Sequence, residues 1–136
     1  MNSFRAAASI AVLAVVAPML AGCAAFDPQS VLTLRDVMNS EYDPDVTTQV
    51  EDTTGTACVP PLNCVQEYST AEADYFRFDS REDAELYAES VQDGFVVNFI
   101  VMDFAGKDAS VREQLNAMRA LAGMWNDYEG DFPDRR

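Results

Sequence analysis

The chain contains no histidine and a single lysine, Lys107, among its 136 residues. The Ser-His-Asp and Cys-His arrangements of nucleophilic catalysis both need an imidazole base, so both are excluded. Three cysteines without histidine also disfavour a tetrahedral zinc site, which takes four ligands. We therefore expect no metal and no cofactor. Carboxylates are the most abundant acid–base groups that remain.

Positive charge is also scarce: nine lysines and arginines stand against 23 aspartates and glutamates, which gives a formal net charge of −14. Such a surface repels nucleic acid and anionic headgroups and attracts cations or basic proteins. A dedicated cation site is one interpretation, but we favour a charged shell that maintains solubility. The charge predicts no nucleic-acid partner and favours a basic protein as the partner.

Long apolar segments are limited to one stretch near the start, Ala6 to Leu20, interrupted only by Ser9 and Pro18. A segment that spans a bilayer needs about 20 apolar residues, so this one is too short. It follows a short polar start with one arginine, and this order is typical of a secretory signal peptide. The stretch ends in an aliphatic residue, two small residues and a cysteine: Leu20-Ala21-Gly22-Cys23.

The motif Leu20-Ala21-Gly22-Cys23 resembles the lipobox of bacterial lipoproteins. In that family the cysteine sulfur receives a diacylglyceryl group, and a dedicated signal peptidase cuts just before the cysteine. The resemblance implies a signal peptide at residues 1–22, a lipid on Cys23 and a tether over residues 23–29. It places the protein at the outer, extracytoplasmic face of the cell membrane. The alternative is an ordinary cleaved signal whose cysteine is incidental.

Two cysteines remain beyond the lipobox, Cys58 and Cys64. In an exported, oxidising compartment such a pair forms a disulfide by default. Closing so short a loop would stabilise the fold by roughly 2 kcal/mol on chain-entropy grounds. Five residues separate the two cysteines, whereas redox-active pairs have two. We therefore predict a structural disulfide.

Three segments have the capping signals and apolar periodicity of helices. The first is expected from Asp27-Pro28 to Asn39 or Ser40, with Asp27 as N-cap. The second follows two overlapping capping boxes in residues 79–83, and the third follows a box formed by Ser110 and Glu113. The predicted inward-facing residues are Val31, Leu34 and Met38 in the first, Ala84, Tyr87, Ala88 and Val91 in the second, and Val111, Leu115, Met118, Ala122 and Trp125 in the third.

Strands are predicted at residues 72–78 and 95–104, where aromatic and β-branched residues are concentrated. Because residues 95–104 are nearly all apolar, we expect one continuous strand that is buried on both faces. Residues 46–50 are a third, short candidate.

These elements predict an α+β fold, a small single-domain sandwich with a strand–helix–strand–helix core. Its helices should lie on one sheet face, after an N-terminal signal helix. The domain is expected at residues 30–125, followed by a loosely attached polar tail at residues 126–136. If the two main strands run parallel in one sheet, their crossover should be right-handed, and this half resembles a split βαβ unit of a ferredoxin-like fold.

Residues 64–104 also resemble small uncharacterised lipoproteins of actinobacteria. The resemblance lies in Tyr75–Phe78, in Ser80–Ala84 and in the strand that ends at Asp103-Phe104-Ala105. It implies an extracytoplasmic setting and no particular activity.

Few residues are candidates for a site. Asp103 ends a buried strand, where its pKa could be perturbed, but we favour a strand-end acid that reaches water or caps a backbone N–H. Asn98, in mid-strand, is expected to be a satisfied polar group rather than a ligand contact. The acids of residues 41–52 could contact calcium; they lack the spacing and glycine of a calcium loop, so a solvated loop is favoured: Asp43, Asp45, Glu51 and Asp52.

Two functions of different class are compatible with the sequence. The first, which we favour, is a non-catalytic, membrane-anchored lipoprotein that serves as an interaction or envelope-accessory module. The second is a small carboxylate-based hydrolase of cell-wall glycan, which needs two acids with separated pKa values. A cleft that holds two facing carboxylates would distinguish the second from the first.

Overall fold

The computed structural model describes residues 28–39, 46–125 and 128–135. The predicted signal peptide and Cys23 lie outside these residues, as do Asp27, Asp43 and Asp45. Within them the chain forms five strands and four α-helices, after a 3-10 helix at Pro28–Val31. In chain order these are α1 (Leu34–Met38), β1 (Glu51–Asp52), α2 (Thr54–Ala57), β2 (Gln66–Ser69), β3 (Asp74–Arg77), α3 (Arg81–Ser90), β4 (Gly94–Val97), β5 (Ile100–Asp103) and α4 (Val111–Ala122).

The predicted α+β single-domain class is confirmed. The strands form one sheet in the order β1-β2-β3-β5-β4, and every neighbouring pair is antiparallel. Since β3 and β4 both run antiparallel to β5, they are parallel to each other with β5 between them. The segment β3–α3–β4 therefore has the connectivity of a split βαβ unit. The candidate strand at residues 46–50 is wrong, because the first strand begins at Glu51.

The first predicted helix is interrupted. Thr33 and Asp36 form a capping box in which the Thr33 N–H donates to Asp36 Oδ2 at 2.8 Å and the Asp36 N–H donates to Thr33 Oγ1 at 3.2 Å. This box starts a new helix after the 3-10 turn. Leu34 is buried as expected, whereas Val31 is 73% exposed, so its predicted inward position is wrong.

The apolar run at residues 95–104 is a hairpin and not the single strand that was predicted. Strands β4 and β5 pair from Gly94↔Asp103 to Val97↔Ile100. The chain reverses at Asn98-Phe99, where Asn98 has a positive φ of 52°. Asparagine tolerates this left-handed conformation better than a β-branched residue does, so the one polar residue inside the run permits the reversal.

Helices cover both faces of the sheet, which corrects the predicted one-sided arrangement. On one face, α3 packs through Ala84 and Tyr87 against Phe76, Phe78 and Val101. On the other face, α1 and α4 enclose a larger core, whose sheet residues include Tyr75, Phe95, Val97, Ile100 and Met102. Side chains alternate across a strand, and these strands carry apolar residues at consecutive positions. Both faces therefore have to be covered.

The predicted starts of the two long helices are confirmed. Ser80 caps α3, and Ser110 forms a capping box with Glu113 at the start of α4. Met118 and Ala122 of α4 are buried as expected, and so is Trp125, which lies beyond the end of the helix, while Val111 is 37% exposed. The predicted disulfide between Cys58 and Cys64 is present, with 4.9 Å between the two Cα atoms, and it borders the α3 side of the sheet.

The end of the chain is attached more firmly than the predicted loose tail. Arg135 forms an ion pair with Asp93 and lies over the Phe104 ring, 4.1 Å from its centroid. Tyr128 and Phe132 both contact the ring of Phe95, with centroids 6.0 and 5.7 Å away. Residues 128–135 therefore belong to the folded domain. In the part of the chain that the structure describes, no helix is long and apolar enough to cross a membrane.

Candidate functional site

Asp103 has the structural role that the sequence favoured. Its Oδ1 accepts a hydrogen bond from the Ala105 N–H at 2.9 Å, just after β5 ends. Asn98 differs from its prediction. Its Nδ2 is buried without a hydrogen-bond partner among the described residues. The side chain belongs to a turn and does not project from mid-strand.

A polar cluster at the ends of β2 and β3 is organised by the chain's single lysine. Lys107 Nζ donates to Asp74 Oδ1 at 2.6 Å, to Ser69 Oγ at 3.1 Å and to the Thr70 carbonyl at 2.9 Å. An ammonium group has three donors, so all three are used. Ser69 Oγ also donates to Asp74 Oδ1 at 2.6 Å. Lys107 therefore stabilises the turn between β2 and β3 with all of its donors.

Asp74 and Asp103 lie directly opposite each other on neighbouring strands. Two like charges at such a pair destabilise a sheet. The Lys107 ammonium group offsets this repulsion by its contact with Asp74, and Asp103 accepts a hydrogen bond from the Ala105 N–H.

Glu67 is the most unusual ionisable residue of the domain. It is only 4% exposed, and its Oε2 has no hydrogen-bond partner among the described residues. Burial, reinforced by the charge of Asp74, raises the pKa of Glu67 to about 7. Its backbone is held by Thr54, whose Oγ1 accepts from the Glu67 N–H at 3.0 Å and donates to the Glu67 carbonyl at 3.1 Å.

Tyr87 of α3 faces the same side of the sheet as Glu67. Burial, with the charges of Asp103, Asp74 and Glu67 adding to it, raises the pKa of Tyr87 to about 12. This phenol stays protonated at physiological pH. The groups left for acid–base chemistry on this side of the sheet are therefore the carboxyl group of Glu67 and the carboxylates of Asp74 and Asp103, which already accept hydrogen bonds. Among the described residues, no group of three or more Cys, Asp or Glu could hold a metal ion.

A separate feature lies at the opposite edge of the sheet, where β4 meets the C-terminal segment. Residues 94–96 form one wall of a groove of about 440 Å³, and residues 128 and 130–133 form the other. Tyr128 and Phe132 make this wall aromatic, and Asp131 adds an acid. Phe132 remains 38% exposed although it stacks on Phe95.

The outer edge of β4 has unpaired backbone groups. The Phe104 N–H donates to the Asp93 carbonyl, and hydrogen-bonded pairs alternate along an antiparallel ladder. With the register of Phe95↔Met102 and Val97↔Ile100, the N–H and C=O groups of Gly94 and Val96 point away from β5. Among the described residues nothing pairs with them.

Comparison with known proteins adds no relative. No family model, no curated protein and no solved structure matches this chain.

The sequence missed both features for identifiable reasons. Glu67 carries no local signal, because its burial depends on α2 and on the pairing of β2 with β3. The groove requires the C-terminal segment to return to β4, and the many acids of residues 126–136 concealed the two aromatic residues that attach it. The aromatic spacing Tyr128 to Phe132 was the one available signal.

Proposed function

We propose that this protein is a non-catalytic interaction module, anchored by a lipid on Cys23 at the outer face of the cell membrane. The position rests on the resemblance of Leu20–Cys23 to a lipobox. A disulfide between Cys58 and Cys64 is compatible with an oxidising compartment. Two acyl chains hold a protein at a bilayer without a transmembrane helix, at ~0.8 kcal/mol per buried methylene.

One observation carries the binding role: the unpaired outer edge of β4 beside an aromatic groove. Native proteins normally protect an edge strand with charges, prolines or very short length. The other edge of this sheet has such protection, because β1 consists only of the exposed acids Glu51 and Asp52. Strand β4 has four residues without a charge or proline, Gly94–Val97. This unprotected edge supports the proposal that a partner binds to it.

The carboxylate hydrolase is the second candidate, and Glu67 is the observation that favours it. A carboxyl group whose pKa is raised to about 7 by burial and by the charge of a second acid, Asp74, is the pattern of a general acid with a carboxylate partner. Two facts weigh against it. Glu67 is almost inaccessible, and Asp74 Oδ1 already accepts from Lys107 and Ser69, so a sugar would have to displace a saturated network.

The two functions can be separated with the full-length, detergent-solubilised protein and three variants: Glu67→Gln, Asp103→Asn, and a triple exchange of Glu82, Glu85 and Glu89 to glutamine. We expect partners recovered from the protein's own membranes to persist with Glu67→Gln and Asp103→Asn. Recovery should decrease with the triple exchange, which removes three acids that would attract a basic partner. It should also decrease as salt is added, because at 0.15 M salt exposed charges act over only ~8 Å.

A glycan-release assay on isolated cell wall provides the opposing result. The binding role predicts no release above the blank by any of these proteins. Release by the parent that falls at least ~100-fold in Glu67→Gln, with the variant still folded by circular dichroism, would make the protein a hydrolase.

A further inference from the structure

The outer edge of β4 is bordered by two surfaces of different chemistry. On the side of Phe95 lies the aromatic groove with Tyr128 and Phe132. On the other side lies α3, whose close approach requires Gly94: a Cβ there would lie 2.7 Å from Val91 Cγ2 and 2.9 Å from the Ala88 carbonyl.

The flank of α3 beside β4 begins with Arg81, which lies over the Phe99 ring at the hairpin turn, 5.5 Å from its centroid, and is acidic beyond that residue. Tyr87 turns toward β3, where its ring meets Phe76 and Phe78 with centroid distances of 4.9 and 5.3 Å. At 100° per residue, Glu85 and Glu89 fall on the opposite flank of the helix, toward β4. Both glutamates are exposed. A strand added to β4 would therefore have acids along one face and an apolar groove along the other.

We infer that β4 accepts an extended segment of another protein, added as a sixth, antiparallel strand in which basic residues alternate with apolar ones. Gly94 and Val96 supply the backbone hydrogen bonds, as in other cases of strand addition. Because side chains of a strand alternate between faces, the basic residues meet Glu85 and Glu89 while the apolar residues enter the groove. The inference rests on the proposed interaction role and names its partner class.

The geometry assigns a role to each alternate residue of the segment. In an antiparallel pair, a residue opposite Gly94 or Val96 exchanges both hydrogen bonds with β4 and has its side chain on the same face. Those residues lie on the α3 side and are the basic ones. The N–H groups of the apolar residues point away from β4 and make no contact with it.

The experiment uses the full-length protein in detergent and a synthetic seven-residue peptide of alternating lysine and valine, with the dissociation constant measured by fluorescence anisotropy. Two modified peptides of equal composition carry N-methyl groups on two lysine nitrogens or on two valine nitrogens. Methylation of the lysine nitrogens removes the donors that face β4 and should weaken binding at least ~10-fold, the equivalent of about two hydrogen bonds. Methylation of the valine nitrogens should change it less than about 2-fold.

A pair of matched variants tests the acidic flank. Glu85→Gln with Glu89→Gln should weaken binding of the unmodified peptide ~5-fold or more at low salt. Glu51→Gln with Asp52→Asn removes the same two charges at the opposite edge of the sheet and should have little effect. Equal losses with both variant pairs would reduce the attraction to net charge alone and overturn the assignment to β4.

Three other outcomes would also overturn the inference. Two methylated peptides of equal affinity would exclude strand addition. A concentration-dependent dimer that the peptide disrupts would make a second copy of this chain the natural occupant. Full peptide binding only after residues 40–45 are deleted would make that segment the occupant. None of these outcomes affects the recovery of a membrane partner and its dependence on salt. That experiment tests the proposed function independently of this inference.

Discussion

Glu67 couples the stability of the domain to pH. Burial raises its pKa from 4.5 to about 7, so the folded protein binds this proton more tightly than the unfolded chain does. Below pH 4.5 both states are protonated and the stabilisation is fully present. Between pH 4.5 and 7 the unfolded chain loses the proton first, so stability falls as pH rises and levels off above the folded pKa.

Glu67→Gln should remove this part of the pH dependence, because a neutral amide of similar size does not titrate. At 1.36 kcal/mol per pKa unit, the wild type should lose roughly 2 to 3 kcal/mol relative to the variant between pH 4.5 and 7. Urea unfolding at several pH values measures the difference. Glu51→Gln, the same exchange at an exposed position of β1, is the control and should follow the wild type. Parallel pH curves for wild type and Glu67→Gln would contradict the buried acid.

For single residues, the sequence predicted the roles that depend on neighbours close in the chain. The role of Asp103 as a cap followed from its position at a strand end, and its bond to the Ala105 N–H is local. The buried state of Glu67 depends on contacts with Thr54, thirteen residues away, and on the charge of Asp74. No pattern within one strand contains that information.

The β4–β5 hairpin depends on one backbone position. Asn98 has a φ of 52°, a conformation that costs a β-branched residue about 1–2 kcal/mol. Asn98→Val should therefore lower the free energy of unfolding by about that amount, although valine would extend the apolar pattern of residues 95–104. Asn98→Gly, which accepts positive φ and removes the buried unpaired amide, should be as stable as the wild type. Denaturant unfolding of the two variants checks this. If valine were neutral or stabilising, the continuous strand would be the better description.

Helix ends were more predictable than strand ends. The Ser110–Glu113 box and the Ser80 cap are signals within four residues and are formed as predicted. The same logic identifies Thr33–Asp36, which the expected cap at Asp27 obscured. The hairpin was not predicted because residues 95–104 are apolar on both sides of Asn98. Periodicity alone therefore does not distinguish one buried strand from two.

On the scale of the whole molecule, the domain presents two unlike sheet edges and one strongly acidic surface. The apolar residues at consecutive strand positions required helices on both faces of the sheet. The C-terminal segment covers part of one face, where it contacts Phe95, and its Arg135 forms an ion pair with Asp93. The composition alone predicted the charge of the surface. The topology determines that acids and aromatic residues meet at β4, which is why the sequence could favour a basic partner but not locate its binding edge.

The lipid anchor proposed on Cys23 would determine where this surface acts, and detergent-phase partitioning of the full-length protein expressed with its leader tests it most directly. The wild type should enter the detergent phase. Cys23→Ala should remain in the aqueous phase or accumulate as an uncleaved precursor. The double variant Cys58→Ala with Cys64→Ala keeps the lipobox and should partition like the wild type, even though loss of the disulfide costs about 2 kcal/mol. If processed Cys23→Ala entered the detergent phase as the wild type does, the membrane-anchored module proposed for this chain would be wrong.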